Sequence, residues 1–140
     1  MKHLHFDVET AGFYGAYWAC AGGSDCAVIA MIGDDPEDRL ARSAVKWLCG
    51  QGVNVLTMSP AKKDYGHHNY PLERVETAIS WLKANGNHKI GIAGASTTGT
   101  LALTAAAMFP DVTLTIAMTP SDFVWQGFMQ GKRDGCKEWP

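Results

Sequence analysis

The residues best placed to do chemistry lie in the run Lys89 to Leu101, KIGIAGASTTGTL. A short apolar strand pattern, Lys89 to Ala93, leads into Gly94-Ala95-Ser96-Thr97-Thr98-Gly99, and an Ala-rich helical pattern over residues 97 to 109 follows. A phosphate loop needs GxxxxGK[ST] after a strand. Gly94 and Gly99 have that separation, but Thr100 stands where the lysine should be, so the main grip on phosphate is missing. A dinucleotide fingerprint needs GxGxxG, and Ser96 occupies the middle glycine position. A nucleophile elbow needs a reactive residue on a sharp strand-to-helix turn, with small residues two places to either side. Gly94 meets that need upstream; Thr98 stands downstream, where glycine is usual, and Gly99 is displaced by one. Serine is also a favoured helix N-cap. Local sequence leaves capping and catalysis both open for Ser96.

An elbow would expose the Ser96 hydroxyl at the carboxyl end of its strand. It would also aim the Thr97 backbone N–H, at the helix N-terminus, toward a developing oxyanion. A serine hydroxyl is a weak nucleophile at neutral pH and needs a neighbouring base. All five histidines, His3, His5, His67, His68 and His88, precede Ser96; Asp111, Asp122, Asp134 and Glu138 follow it. His67 and His68 fall in a polar loop with Lys62 and Lys63, for which a solvated surface is the simpler reading. His3 and His5 alternate on an edge strand and face one side, without further ligands for a metal.

The elements that must position Ser96 are regularly punctuated. Lys2 to Val8 and Tyr14 to Cys20 read as two strands of a hairpin. Ala27 to Ile32, AVIAMI, is a continuous apolar run, as in a strand buried on both faces. Pro36 suits a first helical turn, and Leu40, Ala44, Val45, Trp47 and Leu48 recur at helical spacing from Glu37 to Cys49. Val53 to Met58 is a second buried strand. Pro71 opens another helix, with Leu72, Val75, Ile79 and Leu82 on one face, and Asn85-Gly86-Asn87 closes it. Val112 to Met118 is the strand after the Ala-rich helix. Alternation of this kind predicts an α/β fold, a doubly wound and mainly parallel sheet with helices on both faces.

Composition narrows the partners. The 140 residues are 46% apolar and 19% charged, with 12 Lys and Arg against 14 Asp and Glu, a formal net charge of -2. That argues against a nucleic-acid partner held by a broad basic surface. No run approaches the roughly 20 apolar residues of a membrane span, and Asp7, Glu9 and Asp25 interrupt any leader-like core. A cytoplasmic protein with no membrane association is expected. Cys20, Cys26, Cys49 and Cys136 form no CxxC pair, so thiols are expected rather than a zinc or redox site. Trp47 and Trp81 read as packing residues on helical apolar faces.

The chain resembles the α/β-hydrolase superfamily. More narrowly, it resembles the acyl-CoA thioester hydrolase and bile acid-CoA:amino acid N-acyltransferase C-terminal domain, a relative of dienelactone hydrolases. Four stretches carry this: Pro71-Leu72-Glu73 with Ala78, Trp81 and Leu82; Lys89 to Ser96; Pro120-Ser121 with Val124-Trp125-Gln126-Gly127; and Ala27 to Gly33 with the helix ending at Gly50-Gln51-Gly52. The resemblance implies that Ser96 is the nucleophile, in an elbow framed by Gly94 and Thr98. It implies oxyanion donors at Thr97 and in the loop after Ala27–Ile32, near Gly33 or Asp34. Asp34 and Asp35 in that loop must turn their carboxylates away if the site works. The implied activity is hydrolysis of a small-molecule thioester or ester, an acyl-CoA by resemblance, without a cofactor.

Superfamily order is nucleophile, acid, histidine, and no histidine follows Ser96. The Val112–Met118 strand would also be left at a sheet edge, an aggregation hazard unless covered. Phe123, Val124, Trp125, Phe128, Met129 and Trp139 add large apolar groups nearby. The expectation is therefore one α/β-hydrolase-like domain over 1–140, incomplete at its C-terminus. A missing C-terminal segment, a second chain or a homo-oligomer partner would complete it. A non-catalytic α/β interaction module, or degenerate hydrolase, is the alternative. A flavodoxin-like phosphate or nucleotide binder using the Gly94–Gly99 loop is another.

Overall fold

The computed structural model describes residues 3–59 and 70–124. The elements run β1 (His3–Phe6), α1 (Val8–Ala11), β2 (Gly15–Trp18), β3 (Cys26–Met31), α2 (Arg39–Gly50), β4 (Asn54–Met58), α3 (Glu73–Ala84), β5 (Lys89–Ala95), α4 (Thr97–Met108) and β6 (Val112–Met118). The strands form one sheet in the order β1-β2-β4-β3-β5-β6. β4, β3, β5 and β6 are parallel, and the β1–β2 hairpin joins antiparallel through β2. The α/β alternation and the hairpin thus stand as the residue pattern predicts.

Alternate side chains of each strand go to opposite faces, and the core divides accordingly. On one face Ile29, Met31, Leu56, Met58, Ile90 and Ile92 pack under α3 and α4, with Phe13. On the other, Ala16, Trp18, Val28, Ala30, Val55 and Ala93 meet Val45 and Leu48 of α2. Two positions on α2 differ from expectation. Ala41, Val45 and Leu48 make the buried stripe, so Leu40 and Trp47, displaced around the helix, are 61% and 63% exposed. Trp81 does pack, edge-on to Phe6 and Tyr17.

Local boundaries also differ. The segment read as a strand from Lys2 to Val8 stops at Phe6, and Val8–Ala11 makes one helical turn closed by Gly12 at φ 79°. Pro36 precedes α2 rather than opening it, because Asp38 is the cap and accepts a hydrogen bond from the Ala41 N–H.

At the base of the sheet, two buried asparagines join β4 to the end of α3. Asn54 Nδ2 donates to Asn87 Oδ1 at 2.8 Å and to the Ser24 carbonyl, while its Oδ1 accepts from the Cys20 N–H. Cys20, Cys26 and Cys49 are free thiols; Cys136 lies outside the described residues. No helix among the described residues is long and apolar enough to cross a membrane. β6 occupies one edge, and Leu114, Ile116 and Met118 on it are exposed.

Candidate active site

β5 and α4 meet at Ser96 without an intervening loop. Its backbone stands at φ 55°, ψ −121°. Non-glycine residues rarely occupy positive φ, because Cβ crowds the backbone there. The chain is closely packed around this turn. A Cβ on Gly94 would lie 2.1 Å from the Thr98 carbonyl oxygen, and one on Gly99 would lie 3.0 Å from the Met118 carbonyl oxygen. Ser96 N–H donates to that Met118 carbonyl at 2.8 Å, and Ser96 C=O accepts the Thr100 N–H at 3.1 Å, the first turn of α4.

Ser96 holds the N-cap position of α4, yet its side chain makes no capping hydrogen bond. The residue is exposed. Thr97, half-buried, is the first residue of the 12-residue α4. The hydroxyl therefore sits at the carboxyl end of β5, beside the positive end of a helix dipole. The helix stability usually given by a serine cap is absent, and the oxygen is left accessible.

Thr98, where the elbow pattern prefers glycine, is 5% exposed. Its hydroxyl accepts the Ala95 N–H at 2.9 Å and lies 2.7 Å from the Met31 carbonyl and 2.8 Å from the Ala95 carbonyl. No sequence signal marked that contact, because Met31 is 67 residues away.

The loop after β3 comes to the same end of the sheet, next to β5. Gly33 stands at φ +100°, and a Cβ there would lie 2.4 Å from an Asp38 carboxylate oxygen. That carboxylate accepts the Asp34 N–H at 2.7 Å, the Asp35 N–H at 3.2 Å and the Ala41 N–H at 2.8 Å. This corrects the expectation for Asp34: its N–H is turned into its own loop and is not presented to an oxyanion. Gly33 remains as the candidate donor of this loop. Burial disfavours the charge on Asp38, but the N–H groups of Ala41, Asp34, Asp35 and Leu40 outweigh it and hold the carboxyl below its ordinary value. Asp35, the other acid of concern, accepts the Tyr14 hydroxyl at 3.1 Å and the Glu37 N–H at 2.9 Å.

None of the described histidines comes to Ser96. His3 Nε2 and His5 Nδ1 each bond a Glu37 carboxylate oxygen, the latter at 2.9 Å, and His3 stacks on Trp18. β1 is four strand positions from β5, roughly 19 Å at about 4.8 Å per position. His88 precedes β5 at the opposite end of that strand. His67 and His68 lie outside the described residues, as do Asp134 and Glu138. Among the described residues, no group of three or more His, Cys, Asp and Glu is arranged to hold a metal. One helical turn beyond Ser96, a groove of about 360 Å³ opens between α4 and the segment after β6, lined by Thr100, Leu103, Ser121, Phe123 and Val124 among others.

No family model matches the sequence. Solved structures do match. An α/β hydrolase, GrgF from Penicillium sp. sh18, is 23% identical with a TM-score of 0.67, over 85% of this chain and 45% of that one. The esterase Pf2001 of Pyrococcus furiosus is 21% identical with a TM-score of 0.62, over 85% of this chain and 48% of its own. A second crystal form of that esterase gives 19% and 0.59, over 84% and 56%. The chain thus has an α/β-hydrolase-like fold and spans about half the length of the structures it matches.

Proposed function

We propose that the protein is a serine acyl hydrolase acting on an ester or thioester through an acyl-enzyme on Ser96. The observation that carries this is the Ser96 hydroxyl, exposed and uncapped at a positive-φ junction between β5 and α4. Strain of this kind, of order 1–3 kcal/mol, persists where the surroundings over-determine it, and it clusters at active sites.

In this reading Ser96 Oγ attacks the acyl carbonyl carbon and passes its proton to a base. The tetrahedral oxyanion accepts hydrogen bonds from the Thr97 and Gly33 N–H groups. The carbon–oxygen or carbon–sulfur bond to the leaving group breaks, and the leaving group takes that proton. Water then attacks the acyl-enzyme, the acid departs and Ser96 regains its proton. The base and its acid partner come from outside the described residues: a C-terminal segment completing the single domain, a second chain or another copy of this one. The exposed apolar residues of β6 favour such a completing surface. In this reading the acyl chain lies along the shallow, open groove beside α4. The likeness of Pro71-Leu72-Glu73 and Lys89–Ser96 to the acyl-CoA thioester hydrolase domain favours a thioester. The free thiols suit a cytoplasmic setting.

A fluorophosphonate probe on the full-length protein tests the reading. Labelling at Ser96 that disappears in Ser96→Ala is the expected result. An inert Ser96 in the folded protein would favour the non-catalytic module, a reading supported by the distance of His3, His5 and His88 from the elbow.

A further inference from the structure

The β3–β5 ladder ends with Met31 opposite Gly94. At the next residue, Ala95, β5 still pairs with Met118 of β6 but no longer with β3. There the Thr98 hydroxyl takes over the pairing. It accepts the Ala95 N–H at 2.9 Å and reaches the Met31 carbonyl at 2.7 Å, with the Ala95 carbonyl at 2.8 Å as the second acceptor in range. A hydroxyl has one proton to give and two lone pairs to receive. It can therefore bridge an N–H of one strand and a C=O of the next, as an ordered water would. The geometry points to Thr98 as a positioning residue for the proposed reaction: its hydroxyl fixes Ser96 and the Thr97 N–H relative to the Gly33 loop. The inference rests on the reading of Ser96 as nucleophile.

The two ends of the bridge explain why. Ala95 immediately precedes Ser96, and Met31 lies two residues before Gly33. The hydroxyl thus ties the strand that carries the nucleophile to the strand that leads to the second oxyanion donor, at the point where the ladder between the two ends. A local hydroxyl contact to its own helix entry would involve only Ala95. The Met31 contact joins elements 67 residues apart. The hydroxyl is buried, so its removal leaves the Ala95 N–H and the Met31 carbonyl without this partner and with little water to replace it. Glycine, the usual residue here, satisfies the steric demand of an elbow but cannot make the bridge. Catalysis is sensitive to displacements of about 1 Å between reacting groups, so loosening this joint acts on the chemical step.

The test uses the full-length protein, the fluorophosphonate probe and three sequences: wild type, Thr98→Val and Thr98→Ser. Valine keeps the volume and removes the hydroxyl; serine restores it. Thr98→Val is expected to lower the maximal labelling rate by about ten- to a hundredfold while leaving the probe's half-saturation concentration within about twofold, the signature of a group that acts on the transition state. Amide exchange at Ala95, followed by NMR, is expected to accelerate by about tenfold or more, with Ile92 in the core unchanged. Thr98→Ser is expected to recover both within about threefold. Wild-type labelling rate and Ala95 exchange in Thr98→Val overturn the inference. So does a Thr98→Ser variant as impaired as Thr98→Val, and so does a loss carried wholly by the half-saturation concentration. A wild type that is not labelled at Ser96 is a separate failure: it removes the hydrolase reading and this role together, and Ala95 exchange then reports only a structural tie.

Discussion

The N–H of Ser96 donates to the carbonyl of Met118 at 2.8 Å, so the end of β6 holds the bend at the end of β5. The next residue, Thr119, has φ 45°, and with Ser96 it makes up the positive-φ non-glycine residues among those described. Two unfavourable backbone conformations thus flank one hydrogen bond. Gly99 leaves room for the same carbonyl on its other side. The elbow is held from several directions, as a strained serine requires.

That strain should be measurable. Ser96→Gly is expected to stabilise the fold by about 1 kcal/mol, because glycine adopts positive φ without steric penalty. Ser96→Ala keeps the Cβ and loses no cap, so its stability should match wild type within about 0.5 kcal/mol. Urea titrations of the three proteins give the comparison.

The glycines around the elbow should differ in tolerance. A Cβ on Gly94 meets backbone at 2.1 Å, whereas one on Gly99 meets it at 3.0 Å. Gly94→Ala is expected to cost about 3 kcal/mol or more, and Gly99→Ala about 1 kcal/mol, in line with backbone overpacking. Thermal melts should rank them in that order.

The Asp38 carboxylate supports the Gly33 loop and caps α2. Asp38→Ala is expected to cost about 1–2 kcal/mol at pH 7. Because the folded carboxyl lies below its ordinary value, its contribution is complete above the unfolded value of about 3.9 and is lost as pH falls through the folded value. The gap between wild type and Asp38→Ala should therefore narrow below about pH 4. Urea titrations at pH 7 and pH 3 check the sign.

Asn54 and Asn87 should behave as a unit, since each is buried and they share a 2.8 Å hydrogen bond. Either alanine variant is expected to cost about 2–3 kcal/mol, because it strands the other side chain. A double-mutant cycle should return a coupling of about 1–2 kcal/mol.

Much of this was legible in the residues. The AVIAMI run, the Val53–Met58 run and the helical stripes are periodic over enough residues to identify layers and faces. Gly94 and Ser96 marked the elbow. Val8–Ala11 escaped because one helical turn is too short to show a period. Among the acids of the 34–38 segment, charge alone does not tell which one turns inward; Asp38 does, and it removes Asp34 from candidacy. Ser96 as cap or nucleophile could not be separated without its φ and its absent capping bond. The Thr98 bridge joins positions whose closeness only the folded sheet creates.

The flanks of the sheet are chemically unlike. On one side lies a four-residue strand carrying His3 and His5, both locked onto Glu37. On the other lies a seven-residue strand displaying Leu114, Ile116 and Met118. A further strand beside β6 would meet a row of three exposed apolar side chains, whereas one beside β1 would meet only Leu4 between two histidines.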